Sequence, residues 1–261
     1  MRAVSLLFHD VVPDGSYDQS GFPGAAAAVY KMSEDEFSAD VHAIQARGAV
    51  IVTTNDLSSG NSLERPVMLT FDDGGVGAYD SVAGILKELD YKGHFFVTTD
   101  YIGSPTFLSA KQIAELSRMG HVIGTHSCSH PGRMSCCKPD ELAREWERSV
   151  EVLSDILGSP VKTASVPGGY YSRKVAEAAD GAGIRFLFTS EPTSTLWKVG
   201  DCAVLGRFTI KRGVHPEDVA ALASGELVPS LRQWTAWNTK KIMKRLGGKS
   251  YLRLRKYFLS R

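Results

Sequence analysis

Short, mainly apolar runs alternate with longer stretches of helical spacing along most of this chain. Val4–Phe8 is such a run and predicts a buried strand that stops at His9-Asp10. A loop rich in Gly, Pro and Asp follows to about Pro23. Ser33-Glu34-Asp35-Glu36 has the spacing of a capping box and predicts a helix to about Arg47. Gly48 stops it, and Ala49–Thr53 and Arg65–Phe71 predict the next strands. Asp72-Asp73-Gly74-Gly75 ends the second of them. Ala78–Leu89 has helical spacing, and His94–Thr98 reads as a strand. Ser109 caps a helix to about Met119, and His121–Thr125 is a strand. Pro139-Asp140-Glu141 opens a helix to about Leu157, and Val161–Val166 is a strand ended by Pro167-Gly168-Gly169. A helix over Ser172–Ala182, a strand over Phe186–Thr189 and a last core strand around Val204–Ile210 complete the series.

This recurrence of strand and helix with short connections predicts an α/β fold: a parallel sheet covered by helices, closed as a barrel or open. In such folds chemistry collects at the carboxyl ends of the strands. His9, Asp72-Asp73, His126 and Pro167-Gly168-Gly169 all lie just past predicted strand ends. They therefore converge on one face.

A chain of 261 residues suits one such domain, and its hydrophobic and charged fractions are ordinary for a globular protein. The net charge of +1 hides an asymmetry. No acidic residue follows Glu226, whereas the same stretch holds Arg232, Lys240, Lys241, Lys244, Arg245, Lys249, Arg253, Arg255, Lys256 and Arg261. Without those ten cations the remainder carries 20 basic and 29 acidic residues, a net of −9. We therefore divide the chain into a body, 1–226, and a basic amphipathic tail, 227–261. Trp and Tyr interleaved with cations over 232–261 suit peripheral association with an anionic membrane face. The competing reading is a helix packed on the acidic body. Nucleic acid is not expected as a partner, because nothing else in the chain is basic. Cys128, Cys136, Cys137 and Cys202 read as reduced thiols, since a chain this long needs no staples. With no signal-like start and no membrane-length apolar stretch, the expectation is a cytoplasmic protein, which the tail would bring to the inner face of the membrane.

Asp72 and Asp73 at one strand end, with His126 and His130 at another, are the residues of metal-assisted hydrolysis. Two imidazoles and one carboxylate leave a divalent metal open to water, and a second carboxylate beside them can act as general base. Thr70-Phe71-Asp72-Asp73-Gly74 and His126-Ser127-Cys128-Ser129-His130 resemble the motifs of the polysaccharide deacetylases, the NodB-homology domain of carbohydrate esterase family 4. The order and spacing of motifs agree over roughly residues 1–210. The resemblance implies a distorted (β/α)7-type barrel with parallel strands and outer helices. It implies that Asp72 is the base and that Asp73, His126 and His130 bind the metal, zinc or another divalent ion. It also implies an N-acetylated sugar or glycan as substrate.

Three positions depart from the family pattern. Ser165 stands where the third motif has an Arg that orients the base, and Gly168 stands where an aromatic is common. Gly168, with Gly169 and Tyr170, is the candidate for oxyanion or substrate contacts. Leu205-Gly206-Arg207 stands where the late motif supplies a His as general acid. His9 is the candidate replacement, and His215 reads better beside a helix start. His42, His94 and His121 read as structural. Two alternatives stay open: an esterase or cyclic-amide hydrolase on the same metal, and a glycan-binding domain without turnover.

Overall fold

The structure, a computed structural model, describes residues 3–58 and 66–239. β1 (Val4–Phe8) opens the main sheet, while β2 (Val11–Val12) and β3 (Met32–Ser33) pair with each other beside it. β4 (Val50–Ile51) pairs with the start of β5 (Pro66–Phe71). β6 (Gly93–Val97), β7 (Val122–Thr125), β8 (Thr163–Ser165) and β9 (Phe186–Phe188) follow, each parallel to the one before. β10 (Leu196–Val199) is an antiparallel hairpin partner of β11 (Cys202–Leu205), and β12 (Phe208–Thr209) ends the series. The hairpin is the one departure from the expected parallel order. β10 is half exposed and has no clean apolar period, so nothing in its sequence marked it.

The sheet closes through a broken strand. β11 pairs with β9 at one end of the strand order, and β12 pairs with β1 at the other. Only Gly206 and Arg207 separate β11 from β12. Three Cα steps span at most about 11 Å, so the two ends of the sheet must curl together. The single expected strand over 204–210 is thus two short pieces, with the break between them. A Cβ at Gly206 would collide with the Glu191 carbonyl oxygen, to which Arg207 N–H donates at 2.9 Å. Glycine lets the chain come close there and redirect.

The helices cover the outside: α1 (Ala25–Ala28), α2 (Glu34–Ala46), α3 (Thr54–Ser58), α4 (Ala83–Glu88), α5 (Ala110–Arg118), α6 (Pro139–Leu157), α7 (Arg173–Gly181) and α8 (Pro216–Ala223). Ser33 and Ser109 cap α2 and α5 with full capping boxes, each stabilising its helix by about 1 kcal/mol. Residues 227–239 form one further helical stretch. The body strands are buried on both faces, which explains their near-continuous apolar runs.

Strand alternation then sorts the side chains. Val67, Leu69 and Phe71 of β5 join the outer core under the helices, whereas Met68 joins the inner cluster with Phe96, Phe188, Ala203 and Leu205. Continued by the same period of two, the inner row of β5 runs Met68, Thr70, Asp72. That of β11 runs Ala203, Leu205, Arg207. His94 belongs to the inner layer too. Its Nε2 accepts from Thr54 N–H at 3.0 Å and its Nδ1 faces Leu69 O at 3.3 Å, so it is a core histidine.

Candidate active site

Asp72 and Asp73 are adjacent but face different neighbours. Asp73 has φ 77°, and Gly74 follows at φ 83° with the Val97 backbone so close that a Cβ would lie 3.1 Å from it. The left-handed turn swings Asp73 toward the histidines. His126 continues β7, and Ser127 and His130 take φ values of 68° and 56°. Each such non-glycine residue costs about 1–3 kcal/mol and persists only where its surroundings fix it. Glu145 of α6 does much of the fixing. Its carboxylate accepts from Cys128 N–H and Ser129 N–H, both at 2.9 Å, and from Ser129 Oγ at 2.6 Å.

The result is a three-donor cluster. Asp73 Oδ1 lies 3.5 Å from His126 Nε2 and 3.5 Å from His130 Nε2. One ligand atom from each of the three residues lies within 4.8 Å of the others. His126 Nδ1 lies 3.1 Å from Ser165 O. Donating there fixes the neutral tautomer with Nε2 turned into the cluster, the arrangement typical of metal-binding histidines. Burial lowers His126 to about 3 and also lowers His130, so both imidazoles are neutral. Burial, then the charges of Asp72 and Asp10, push Asp73 well above the usual carboxylate range. Two neutral imidazoles and a carboxylate that its surroundings repel form a donor set that a divalent cation fits.

Asp72 is held in another way. It is buried, as is Arg207, whose guanidinium donates from Nη1 to Oδ1 at 2.7 Å and from Nη2 to Oδ2 at 2.8 Å. The remaining donors of Arg207 reach Thr189 O at 2.9 Å, Thr70 Oγ1 at 3.2 Å and Ser165 Oγ at 2.7 Å. All five guanidinium N–H groups are therefore used. Burial opposes ionisation of Asp72, but the Arg207 charge and hydrogen bonds overcome it and hold the carboxyl well below its ordinary range. Asp72 Oδ2 lies 3.9 Å from His126 Nε2, so this ionised carboxylate borders the donor cluster.

A family model described as polysaccharide deacetylase matches residues 59–187. This stretch of the chain belongs to the polysaccharide deacetylase family. The peptidoglycan-N-acetylmuramic acid deacetylase PdaA of Bacillus subtilis is 30% identical over 50% of this chain and 49% of its own. The chain spans about half the length of the curated relatives it matches. The fold is shared with IcaB from Ammonifex degensii, at TM-score 0.71 and 23% identity over 85% of this chain and 97% of that one. It is shared likewise with the Streptococcus pyogenes deacetylase PplD, at TM-score 0.70 and 21% identity over 83% and 96%.

Against the family pattern, the Ser165 and Arg207 departures form one exchange. In place of the Arg missing at Ser165, Arg207 reaches Asp72 from the break between β11 and β12, and Ser165 is small enough to admit it. In the sequence the two positions lie 42 residues apart, and neither alone points to the other. The clue was their complementarity: one Arg lost and one gained at strand ends facing the same carboxylate.

The other candidates are placed as follows. His9 packs on Tyr30 at 4.9 Å, and its Nδ1 is buried with no hydrogen-bond partner among the described residues. Burial lowers it to about 4, so it is neutral at pH 7. His215 caps α8, accepting from Glu217 N–H. Gly168 and Gly169 take φ values of 60° and 68°. Gly169 N–H is spent on Val166 O at 3.3 Å, and Tyr170 N–H points at Pro167 O, 3.5 Å away. Gly168 is the one of the three whose amide makes no such bond among the described residues. On the opposite wall, Phe22 packs on His130 at 4.8 Å. Lys31 holds the Phe22 loop by donating to the carbonyls of Tyr17, Ser20 and Phe22. Cys128 and Cys202 are buried, Cys136 is exposed, and all four cysteines are free.

Proposed function

We propose that this protein is a metal-dependent hydrolase that removes the acetyl group from an N-acetylated sugar or glycan. The observation that carries the reading is the pairing of a neutral-imidazole and carboxylate donor set with an ionised, Arg-oriented carboxylate 3.9 Å away. Asp73, His126 and His130 would hold the metal, zinc being the first candidate. When bound, the metal supplies Lewis-acid polarisation of the acetyl carbonyl and lowers the pKa of water at the site.

The chain's own residues do the rest. Asp72 accepts the proton of the attacking water, and Arg207 keeps it ionised and aimed. Once protonated, Asp72 is a strong acid beside Arg207 and can pass its proton to the leaving sugar nitrogen. His9 is the second candidate donor, and its burial resists the charge that role requires. Gly168 N–H is our candidate donor to the oxyanion. His126 is held in its ligating tautomer by Ser165 O, and Glu145 holds the loop that carries His130.

The reading without turnover drew on the Ser165 and Arg207 departures. Arg207 supplies the contact that Ser165 lacks, which supports catalysis instead. We place the protein in the cytoplasm, a reading supported by its four free thiols. Acetate release from a panel of N-acetyl sugars, measured with metal content, tests the proposal. Release from a sugar that stops in Asp72→Asn with metal retained supports it. Release from O-acetyl esters alone would replace it with the esterase reading, and bound glycan without release would replace it with the binding reading.

A further inference from the structure

The helical stretch 227–239 is amphipathic in reverse. The positions that meet the barrel are 226, 233 and 237, which recur at one helical face. Glu226 pairs with Arg47. Gln233 clamps Thr209 of β12 in both directions, donating from Nε2 to Thr209 O at 3.0 Å and accepting Thr209 N–H at 3.2 Å. Trp237 lies over the loop at the mouth, so close that a Cβ on Gly169 would be 3.0 Å from its ring. The inward face is thus mainly polar contacts and one indole.

The outward face is apolar. Leu227 is 83% exposed, Val228 70%, Leu231 61% and Trp234 52%. Positions 227, 231 and 234 are spaced to form one stripe, with 228 beside it. No described residue covers it. Four of the six large hydrophobic side chains exposed in the described structure lie in this stripe. Isolated exposed leucines need no explanation, but an aligned stripe on one helix marks a contact surface.

The sequence says what that contact is. The stripe runs directly into residues 240–261, which hold nine Lys and Arg and no acidic residue. Arg232 adds a further cation beside the stripe. We propose that this helix seats the protein on an anionic lipid surface, the stripe entering the interface and the cations meeting the headgroups. Near such a surface each Lys or Arg raises affinity roughly fivefold, and buried apolar side chains add to that. The surface is continuous with the barrel mouth, because the same helix touches β12 and the Gly169 loop. Residues 240–261 lie outside the described residues and enter here by their composition alone. The inference does not depend on turnover, and its test reads binding only.

The full chain is sedimented with vesicles of phosphatidylcholine containing about 30 mol% phosphatidylglycerol, and with vesicles of phosphatidylcholine alone. We expect the protein to pellet with the anionic vesicles and to prefer them about tenfold or more, with the preference lost at high salt. Leu227→Ser/Leu231→Ser, which touches only exposed side chains, should lower partitioning by about tenfold while the melting temperature is unchanged. Unchanged partitioning of that variant would overturn the proposal, since the cations alone would then suffice. So would equal binding to both vesicles. A lipid-free dimer dispersed by the same two substitutions would overturn it in favour of a second copy of this chain.

Discussion

Asp72 and Asp73 are neighbours in sequence, both are buried, and the fold treats them oppositely. Around Asp72 every hydrogen-bonding group of Arg207 is used, and the carboxylate is ionised by its partner. Around Asp73 the fold assembles two neutral imidazoles and the repulsion of two other carboxylates, which with burial outweigh the attraction of Lys31 and Arg207, so a bound cation would relieve its charge. A period-two strand makes this possible. Asp72 stays on the inner row of β5 and meets Arg207, whereas the left-handed turn at Asp73 leaves that row. One carboxylate is thus built to be electrostatically complete and the other to be completed.

That contrast can be broken by substitution. Asp72→Asn should lower acetate release by about 10³-fold with metal content unchanged, whereas His130→Ala should abolish metal binding itself. Loss of metal in Asp72→Asn as well would show that the two carboxylates share one role. Removing one partner of the buried pair in Arg207→Met should cost about 3–5 kcal/mol in denaturant unfolding of the metal-free protein. Asp72→Asn/Arg207→Met should recover much of that loss, because no uncompensated charge remains. Asp73→Asn in the metal-free protein should leave stability within about 1 kcal/mol of the parent, or raise it, since it removes a carboxylate that its neighbours repel. An Asp73→Asn variant as unstable as Arg207→Met would end the comparison.

Two smaller effects sharpen it. His94 lies in the inner layer below the mouth, neutral and bonded through both ring nitrogens, and burial lowers its pKa to about 4. The unfolded chain therefore takes up a proton near 6.5 that the folded protein refuses. The stability His94 contributes is complete above that pH and is lost as the pH falls toward about 4. Compared with His94→Gln, the parent should lose about 2 kcal/mol more between pH 7 and pH 5, read by urea unfolding. Glu145→Gln should weaken metal affinity about tenfold by loosening the loop that carries His130, with little change in the Asp72–Arg207 pair. Calorimetric metal titration checks it.

The donor cluster was legible because each of its residues lies at or just past the end of a strand whose own pattern is clear, so Asp73, His126 and His130 could be placed on one face without knowing the sheet order. The capping boxes at Ser33 and Ser109 were legible for a similar reason, since cap and partner lie three residues apart. The Asp72–Arg207 contact was not. It joins residues 135 positions apart and depends on the parity of β11 and on the break at Gly206-Arg207. A continuous strand over 204–210 hid that break. The antiparallel β10 escaped because Leu196-Trp197-Lys198-Val199 alternates neither as a half-buried strand nor as a helix. His9 was correctly brought to the mouth by its strand end, but burial, which a sequence does not display, sets its charge.

The broken last strand also bears on how the protein comes to be made. The chain emerges with the donor cluster complete once residue 130 is in place, while Arg207 follows 77 positions later. Until the two half-strands seat against β9 and β1, the ring is open and Asp72 has no cation to hold it. Contacts this far apart in sequence form late and slowly. A partly synthesised or C-terminally clipped chain would therefore have its donor residues before Asp72 was held, and on the proposed function hydrolytic competence would appear only on topological closure.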